Sequence, residues 1–293
     1  MTILVTHGAN PLLLSNLNAN ILHAAAESKL DHGLAEALQI WNRCSGKLNI
    51  NQVNRWLETP LHVASWCSAA CVKLLIDAGA DPGMQEENGQ VPLHCAGLSE
   101  QGPDRREIVS LLCVTKDKSH INTQEYDGRP PIFDFLDDPE CVELLIHHGA
   151  DLSLTDKLGR SVYHHVCADD EVDALKTLLR SGHNSSEATT KDYDGNTPLM
   201  QAFSSSNVNC AMVLLEMDDV GDIVSKDGWC PIHYAAKIGD VDLLSSVVNH
   251  PTFARGTKTM DGKGANVVAM EAGTWHGKVK EMIREHDFLN WVE

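Results

Sequence analysis

Apolar residues along this chain fall into short stripes at i, i+3, i+4 spacing, as in VKLLIDAGAD, EIVSLLCVTKD, CVELLIHHGAD, ALKTLLRSGHN and CAMVLLEMDD. That spacing marks helices with one buried face. Before each stripe stands a short phrase: NILHAA from Asn20, TPLHVA from Thr59, VPLHCA from Val91, PPIFDF from Pro130, SVYHHV from Ser161, TPLMQA from Thr197 and CPIHYA from Cys230. A degenerate copy, VAMEAG, is read from Val268. The second residues of the phrases stand at 21, 60, 92, 131, 162, 198, 231 and 269, so the period is about 35 residues. Each period predicts two short helices.

The letters of the phrase have a physical reason. Thr or Ser before Pro supplies a helix N-cap and then a first-turn residue whose missing N–H would have had no partner. The Leu and Ala that follow pack between layers, and Gly79 and Gly149 end the second helix in a left-handed conformation. One such unit cannot bury both of its faces, so neighbours must stack. Two gaps of 39 residues place insertions near DHGLAEALQIWNRCSGKLNINQVNRWL and near SEQGPDRREIV, both expected as loops.

These features resemble the ankyrin-repeat family. The resemblance rests on Thr59-Pro60-Leu61-His62 with Ala64, on Leu74-Leu75 followed by Gly79-Ala80-Asp81, and on the turns at Gly128, Gly159, Gly195 and Gly228. It implies an all-α fold, an ankyrin-repeat solenoid of about eight helix-turn-helix units with projecting turn fingers. Residues 1–293 then read as a single array: a partial N-terminal repeat over 1–19, a repeat core over 20–274 and a C-terminal capping helix over 275–293.

Composition narrows the function. With 23 Lys+Arg against 41 Asp+Glu the formal net charge is −18, which opposes nonspecific binding to nucleic acid or anionic lipid. No apolar run approaches the ~18 residues of a membrane helix, and the start of the chain does not read as a secretory signal. Nine cysteines without paired spacing suit reduced thiols, so a cytoplasmic or nuclear location is expected. Between Glu125 and Asp240 stand 22 acidic and 8 basic residues, a net −14. Asp137 and Asp138 are read at the same place in their unit as Asp169 and Asp170 in the next, which predicts an acidic ridge that would steer a basic partner.

Candidate chemistry is sparse. His23, His62, His94, His164 and His233 occupy the phrase position that the family uses to bind backbone, and they are read as structural. His165, next to one of them, is the exception. Cys67 and Cys71, read as four apart on one helical face, with His94 and Cys95 nearby, make a weak case for a metal, and none is expected. The DYDGN string puts its glycine in the wrong place for a calcium loop. No phosphate-binding loop or nucleophile elbow is present, and no cofactor is implied.

The resemblance directs attention instead to the concave face made by the turns and the exposed ends of the first helices. Carried over by position, it comprises Arg55, Trp56 and Glu58, then Asn88 and Gln90, then Tyr126, Asp127 and Arg129. It continues through Lys157 and Arg160, Tyr193, Asp194 and Asn196, and Trp229. The helices add Trp66, Asp137, Asp138, Asp169, Asp170 and Lys237. Aromatic and arginine side chains concentrate binding energy where they are desolvated. The chain therefore reads as an intracellular protein-protein interaction module for a protein or peptide. An alternative is an enzyme on the same scaffold, with a small apolar substrate against the tryptophans and proton transfer by His165, Asp137 or Asp169.

Overall fold

The structure is a computed structural model, and it describes residues 10, 13–43, 49–99, 103–181, 185–217, 220, 224–250 and 258–289. The described residues form α-helices and short 3₁₀ segments joined by turns, with one isolated bridge between Thr155 and Ser161 and no strand. The chain divides into two compact units, Met1–Asp151 and Leu152–Glu293.

In the first unit the phrases open α1 (Ile21–Glu27), α3 (Pro60–Ser65), α5 (Pro92–Gly97) and the 3₁₀ segment Pro131–Phe135. Each is followed by a second helix: α2 (Asp31–Arg43), α4 (Ala69–Asp77), α6 (Pro103–Cys113) and α7 (Pro139–His147). First helices pack on first helices and second on second, so the unit has two layers. Leu61, Ala64, Val72 and Leu75 are wholly buried between them. Each fully buried leucine adds about 1.5–3 kcal/mol. The second unit repeats the arrangement. Its first helices are α8 (Val162–Asp169), α10 (Pro198–Ser205), α12 (Pro231–Ile238) and α14 (Ala265–Ala272), and its second helices are α9 (Val172–Arg180), α11 (Val208–Leu214), α13 (Val241–Asn249) and α15 (Gly277–Leu289).

The phrase starts helices as its letters predict. Thr59 and Thr197 are extended N-caps whose hydroxyls accept from the His62 and Met200 amides, and Pro60 and Pro198 fill the first helical position. Gly79 and Gly149 follow α4 and α7 with φ of +90° and +101°. The histidines act as staples. The backbone N–H of Thr59 donates to His62 Nδ1 at 3.1 Å, and His62 Nε2 donates to the carbonyl of Gln90 in the next turn, also at 3.1 Å. His23, His94 and His164 reach Glu58, Arg129 and Asn196 in the same way. Burial holds these rings below the usual histidine range, His62 and His94 down to about 4.

Four expectations change. The first insertion does not sit only in a loop: α2 has 13 residues against 9 in α4, so part of the extra length extends the helix. The second insertion, placed near Ser99–Val109, is not a loop throughout: Pro103–Val109 belong to α6, and residues 100–102 lie outside those described. PPIFDF makes a 3₁₀ segment, because the interval from Pro131 to the cap Asp138 is one residue shorter than from Pro60 to the cap Ser68, and Pro139 holds Asp138 extended. The last phrase is out of register as read. Gly264 is the extended N-cap of α14, so the phrase is GANVVA from Gly264, with Val267 rather than Glu271 in the histidine's place. Asp261-Gly262 before it matches Asp227-Gly228 before Cys230.

Candidate functional site

Each phrase is preceded by a hairpin finger held by its own backbone. The amide of the residue five before the cap donates to the carbonyl of the residue one before it: Asn54 N–H to Glu58 O, Glu86 to Gln90, Glu125 to Arg129, Asp156 to Arg160, Asp192 to Asn196 and Ser225 to Trp229. A polar side chain at the first of these positions braces the turn in most fingers, Glu86 as well as the shorter Asn54, Asp156 and Asp192. Asn54 Oδ1 accepts from the Trp56 and Glu58 amides, and Asp156 Oδ1 from those of Leu158 and Arg160. A backbone bond ties adjacent fingers within a unit: Arg55 N–H donates to Leu17 O, Glu87 to Trp56, Tyr126 to Asn88, Tyr193 to Leu158 and Met260 to Asp227. Much of the backbone's hydrogen bonding is therefore met inside the finger row.

In the first unit this row gathers an aromatic site. Trp56, on its finger, and Trp66, the residue that ends α3, are 39% and 42% exposed. Together with Glu58 they form a wall shared by two hollows. One, of about 470 Å³, is lined also by Leu17, Ala19, His23, Glu27, Lys29, Asn54, Val63 and Cys67. The other, of about 370 Å³, is lined also by Glu86, Glu87, Asn88, Gln90 and Cys95. Between Trp56 and Glu58 sits Leu57, exposed and left-handed with φ of +62°, where the later fingers carry Gly89, Gly128, Gly159, Gly195, Gly228 and Gly262. A leucine there is strained, and strain of this kind collects at functional sites. Sequence reading passed over Leu57, although its departure from the glycine column was visible.

The remaining first-unit candidates differ in availability. Tyr126 is 63% exposed, its ring lying over Gly89, and Asn88 and Asp127 are exposed. Arg129 is turned into the structure, Nη2 to Asp134 Oδ1 at 2.7 Å. Burial pushes the Asp134 carboxyl up to about 7 against the pull of that guanidinium. Asp138 is not a free acid on the face. It is buried as the N-cap of α7, Oδ1 accepting from the Glu140 and Cys141 amides and Oδ2 from Arg106 at 3.2 Å. Asp137 is held by Arg105.

In the second unit Lys157, Tyr193 and Asp194 are exposed, and Asn196 and Trp229 half-buried. Tyr193, 75% exposed, lies over Gly159 as Tyr126 lies over Gly89. Lys226 Nζ reaches Asp194 at 3.0 Å. Trp229 packs on Tyr234 with centroids 5.0 Å apart, and Lys237 Nζ stands 5.7 Å from its ring. His165 Nε2 is 3.0 Å from Asp156 Oδ2, which also takes Arg160 Nε at 2.8 Å. Hydrogen bonds to these groups hold the Asp156 carboxyl below the usual carboxylate range despite its burial.

The repeated acidic ridge is corrected. Asp138 caps a second helix, whereas Asp170 is a left-handed residue closing α8 whose carboxylate accepts from Asn209 and the Cys210 amide. Asp169 is the last residue of α8, so the two acidic pairs do not occupy like positions. None of His165, Asp137 or Asp169 lines either hollow. Cys67 and Cys71 do not share a helix, because Cys67 lies in the turn between α3 and α4. Among the described residues no group of three or more His, Cys, Asp or Glu is placed to hold a metal ion, and no helix is long and apolar enough to cross a membrane.

The comparisons agree with this architecture. The family model described as ankyrin repeats (3 copies) matches residues 22–125 and 134–223. The chain is 32% identical over 158 residues to human neurogenic locus notch homolog protein 1, covering 52% of this chain and 6% of that protein. With the Xenopus laevis protein of the same name it shares 26% over 188 residues, 63% of this chain and 7% of that protein. The chain thus spans a small fraction of the relatives it matches. The crystal structure of the ankyrin repeat domain of Bcl-3 superposes with a TM-score of 0.57 at 24% identity, over 73% of this chain and 89% of that one, which shows a common fold.

Proposed function

The chain belongs to the ankyrin-repeat family, and on that premise we propose that it is an intracellular, noncatalytic module that binds a partner protein or peptide through its finger row and first-helix ends. Trp56, Leu57, Glu58 and Trp66 form the anchor. The observation that carries this reading is the pair of half-exposed indoles around two hollows, beside a strained leucine. Large aromatic groups at a concave surface supply most of the binding energy when a partner desolvates them. Arg55, Asn88, Tyr126 and Asp127 extend the surface in the first unit, and Lys157, Tyr193, Asp194, Asn196, Trp229 and Lys237 supply the corresponding one in the second. The net charge of −18 favours a basic partner and disfavours nucleic acid.

The test is selection of ligands for the full chain from a random peptide library, followed by affinity measurement on variants. Trp56→Ala and Trp66→Ala should each weaken binding by about 1–2 kcal/mol, roughly five- to thirtyfold, with melting little changed. Selected peptides that bind wild type and both variants equally would remove the anchor assignment.

A further inference from the structure

The smaller hollow has an unbalanced lining. Its walls are the Trp56 and Trp66 indoles, and its rim carries the carboxylates of Glu58 and Glu87 and the amides of Asn88 and Gln90, with no lysine, arginine or histidine among the lining residues. The larger hollow, which shares the same indoles, is lined by Lys29 and Glu27 and so carries its own cation.

Hydrogen bonding makes the rim an array of acceptors. Asn88 Nδ2 donates to Glu86 Oε2 at 3.2 Å and Gln90 Nε2 to Glu125 Oε2 at 2.9 Å. Each amide has thus committed a donor inside the protein and keeps its carbonyl oxygen as an acceptor. Glu86, buried, is spent on its own turn, accepting from the Asn88 and Gln90 amides. Glu58 gives one oxygen to Asn54 Nδ2 at 2.7 Å and retains the other.

The chain itself shows what its tryptophans accept, Trp56 included. Arg55 stands 5.8 Å from the Trp56 centroid, Lys237 5.7 Å from that of Trp229 and Arg284 5.9 Å from that of Trp275. Among the described residues no cation stands over Trp66, and the smaller of the two hollows it lines carries three glutamates and no cation. A cation is attracted to an indole face by the ring quadrupole, more strongly as water is excluded.

We propose that the Trp56–Trp66 hollow binds an arginine side chain of the partner. The guanidinium is planar, stacks on indole, and offers five donors in a fixed fork to the Glu58 and Glu87 carboxylates and the amide carbonyls. A lysine ammonium brings three donors and no flat face. A trimethylated lysine brings a cation with no donor and leaves the acceptors unanswered. This assignment rests on the peptide-binding reading above and specifies the residue that the anchor receives.

The test uses ¹⁵N-labelled full chain, with the Trp56 and Trp66 indole N–H resonances assigned through Trp→Phe variants. It is titrated with N-acetyl-arginine methylamide and with the matched citrulline, lysine, trimethyllysine and norleucine compounds. The arginine compound should move both indole resonances saturably in the millimolar range, with citrulline and norleucine weaker by about tenfold or more and lysine between them. The Glu58→Gln/Glu87→Gln double variant should weaken the arginine compound about fivefold or more at unchanged melting temperature. Equal binding of citrulline or norleucine, tighter binding of trimethyllysine, or no movement of either indole with any compound would overturn the proposal. The two readings fail separately: a selected peptide that loses affinity on Trp66→Ala but contains no arginine upholds the docking surface and overturns the arginine assignment.

Discussion

Arg105 grips Asp137 at two points, Nη1 to Oδ2 at 2.8 Å and Nη2 to Oδ1 at 2.9 Å, with the guanidinium buried and the carboxylate half exposed. The same Nη2 donates to the carbonyls of Gly97 at 2.6 Å and Asp134 at 2.9 Å, and the guanidinium carbon lies 5.0 Å from the Phe135 ring centroid. One side chain thus fastens α6 to the end of α5 and to the 3₁₀ segment, where the shortened phrase leaves less helix to pack. Asp137 reads as a free acid from sequence, and here it is an anchor.

Removing that fastening should be costly. Arg105→Met strands two inward-facing carbonyls and the Asp137 charge, and is expected to lower stability by about 2–4 kcal/mol in urea denaturation. A loss below about 1 kcal/mol would show that the network contributes little.

Leu57 offers the opposite sign. In the left-handed conformation a side chain costs roughly 1–2 kcal/mol that glycine avoids, offset in part by glycine's larger unfolded-state entropy. Leu57→Gly should therefore raise stability by about 0.5–1 kcal/mol while weakening the affinity of selected peptides. A variant that melts lower than wild type would contradict the strain.

Acid should weaken the fold through its histidine staples. His62 and His94 titrate at about 4 in the folded protein because burial disfavours the charged ring, against about 6.5 when unfolded. Above about pH 6.5 both states are neutral and the stability is complete. As pH falls from there towards 4 the unfolded chain binds protons that the folded chain cannot, and each ring removes on the order of 3 kcal/mol across that window. Chemical denaturation at pH 7, 5.5 and 4.5 measures the slope. His62→Gln should flatten it, and an equal slope in that variant would exclude His62 as a source.

Thiol accessibility separates the described cysteines. Cys67 is partly exposed, whereas Cys71, Cys95, Cys113, Cys141, Cys167, Cys210 and Cys230 are buried. Burial pushes the thiols of Cys113 and Cys141 up to about 12 and raises that of Cys95 as well. Since the thiolate is the nucleophile, iodoacetamide at neutral pH should modify Cys67 first among these eight, and the buried thiols only after denaturation. Mass spectrometry of the native protein showing Cys95 or Cys141 alkylated ahead of Cys67 would refute the burial.

Much of this was legible along the chain because it is local. Thr59 and Pro60 start a helix through atoms within one turn, and Gly79 ends one for the same reason. The errors are local too. VAMEAG reads as a phrase because it is an apolar string, but the Asp261-Gly262 finger sets the register to GANVVA. Asp138 and Asp170 look alike as letters, but Pro139 makes the first a helix cap and the second closes a helix in left-handed geometry.

Sequence by itself determined the period and most helix starts and ends, since caps, proline and apolar spacing act between residues a few positions apart. Tertiary structure alone decided which charged side chains are consumed and which tryptophans share a hollow. Arg105 meets Asp137 across 32 positions, and Gln90 meets Glu125 across 35. Trp56 and Trp66 face common space only because one finger and one helix end are brought together by packing. Such distances depend on how layers stack, and no window of neighbouring residues encodes them.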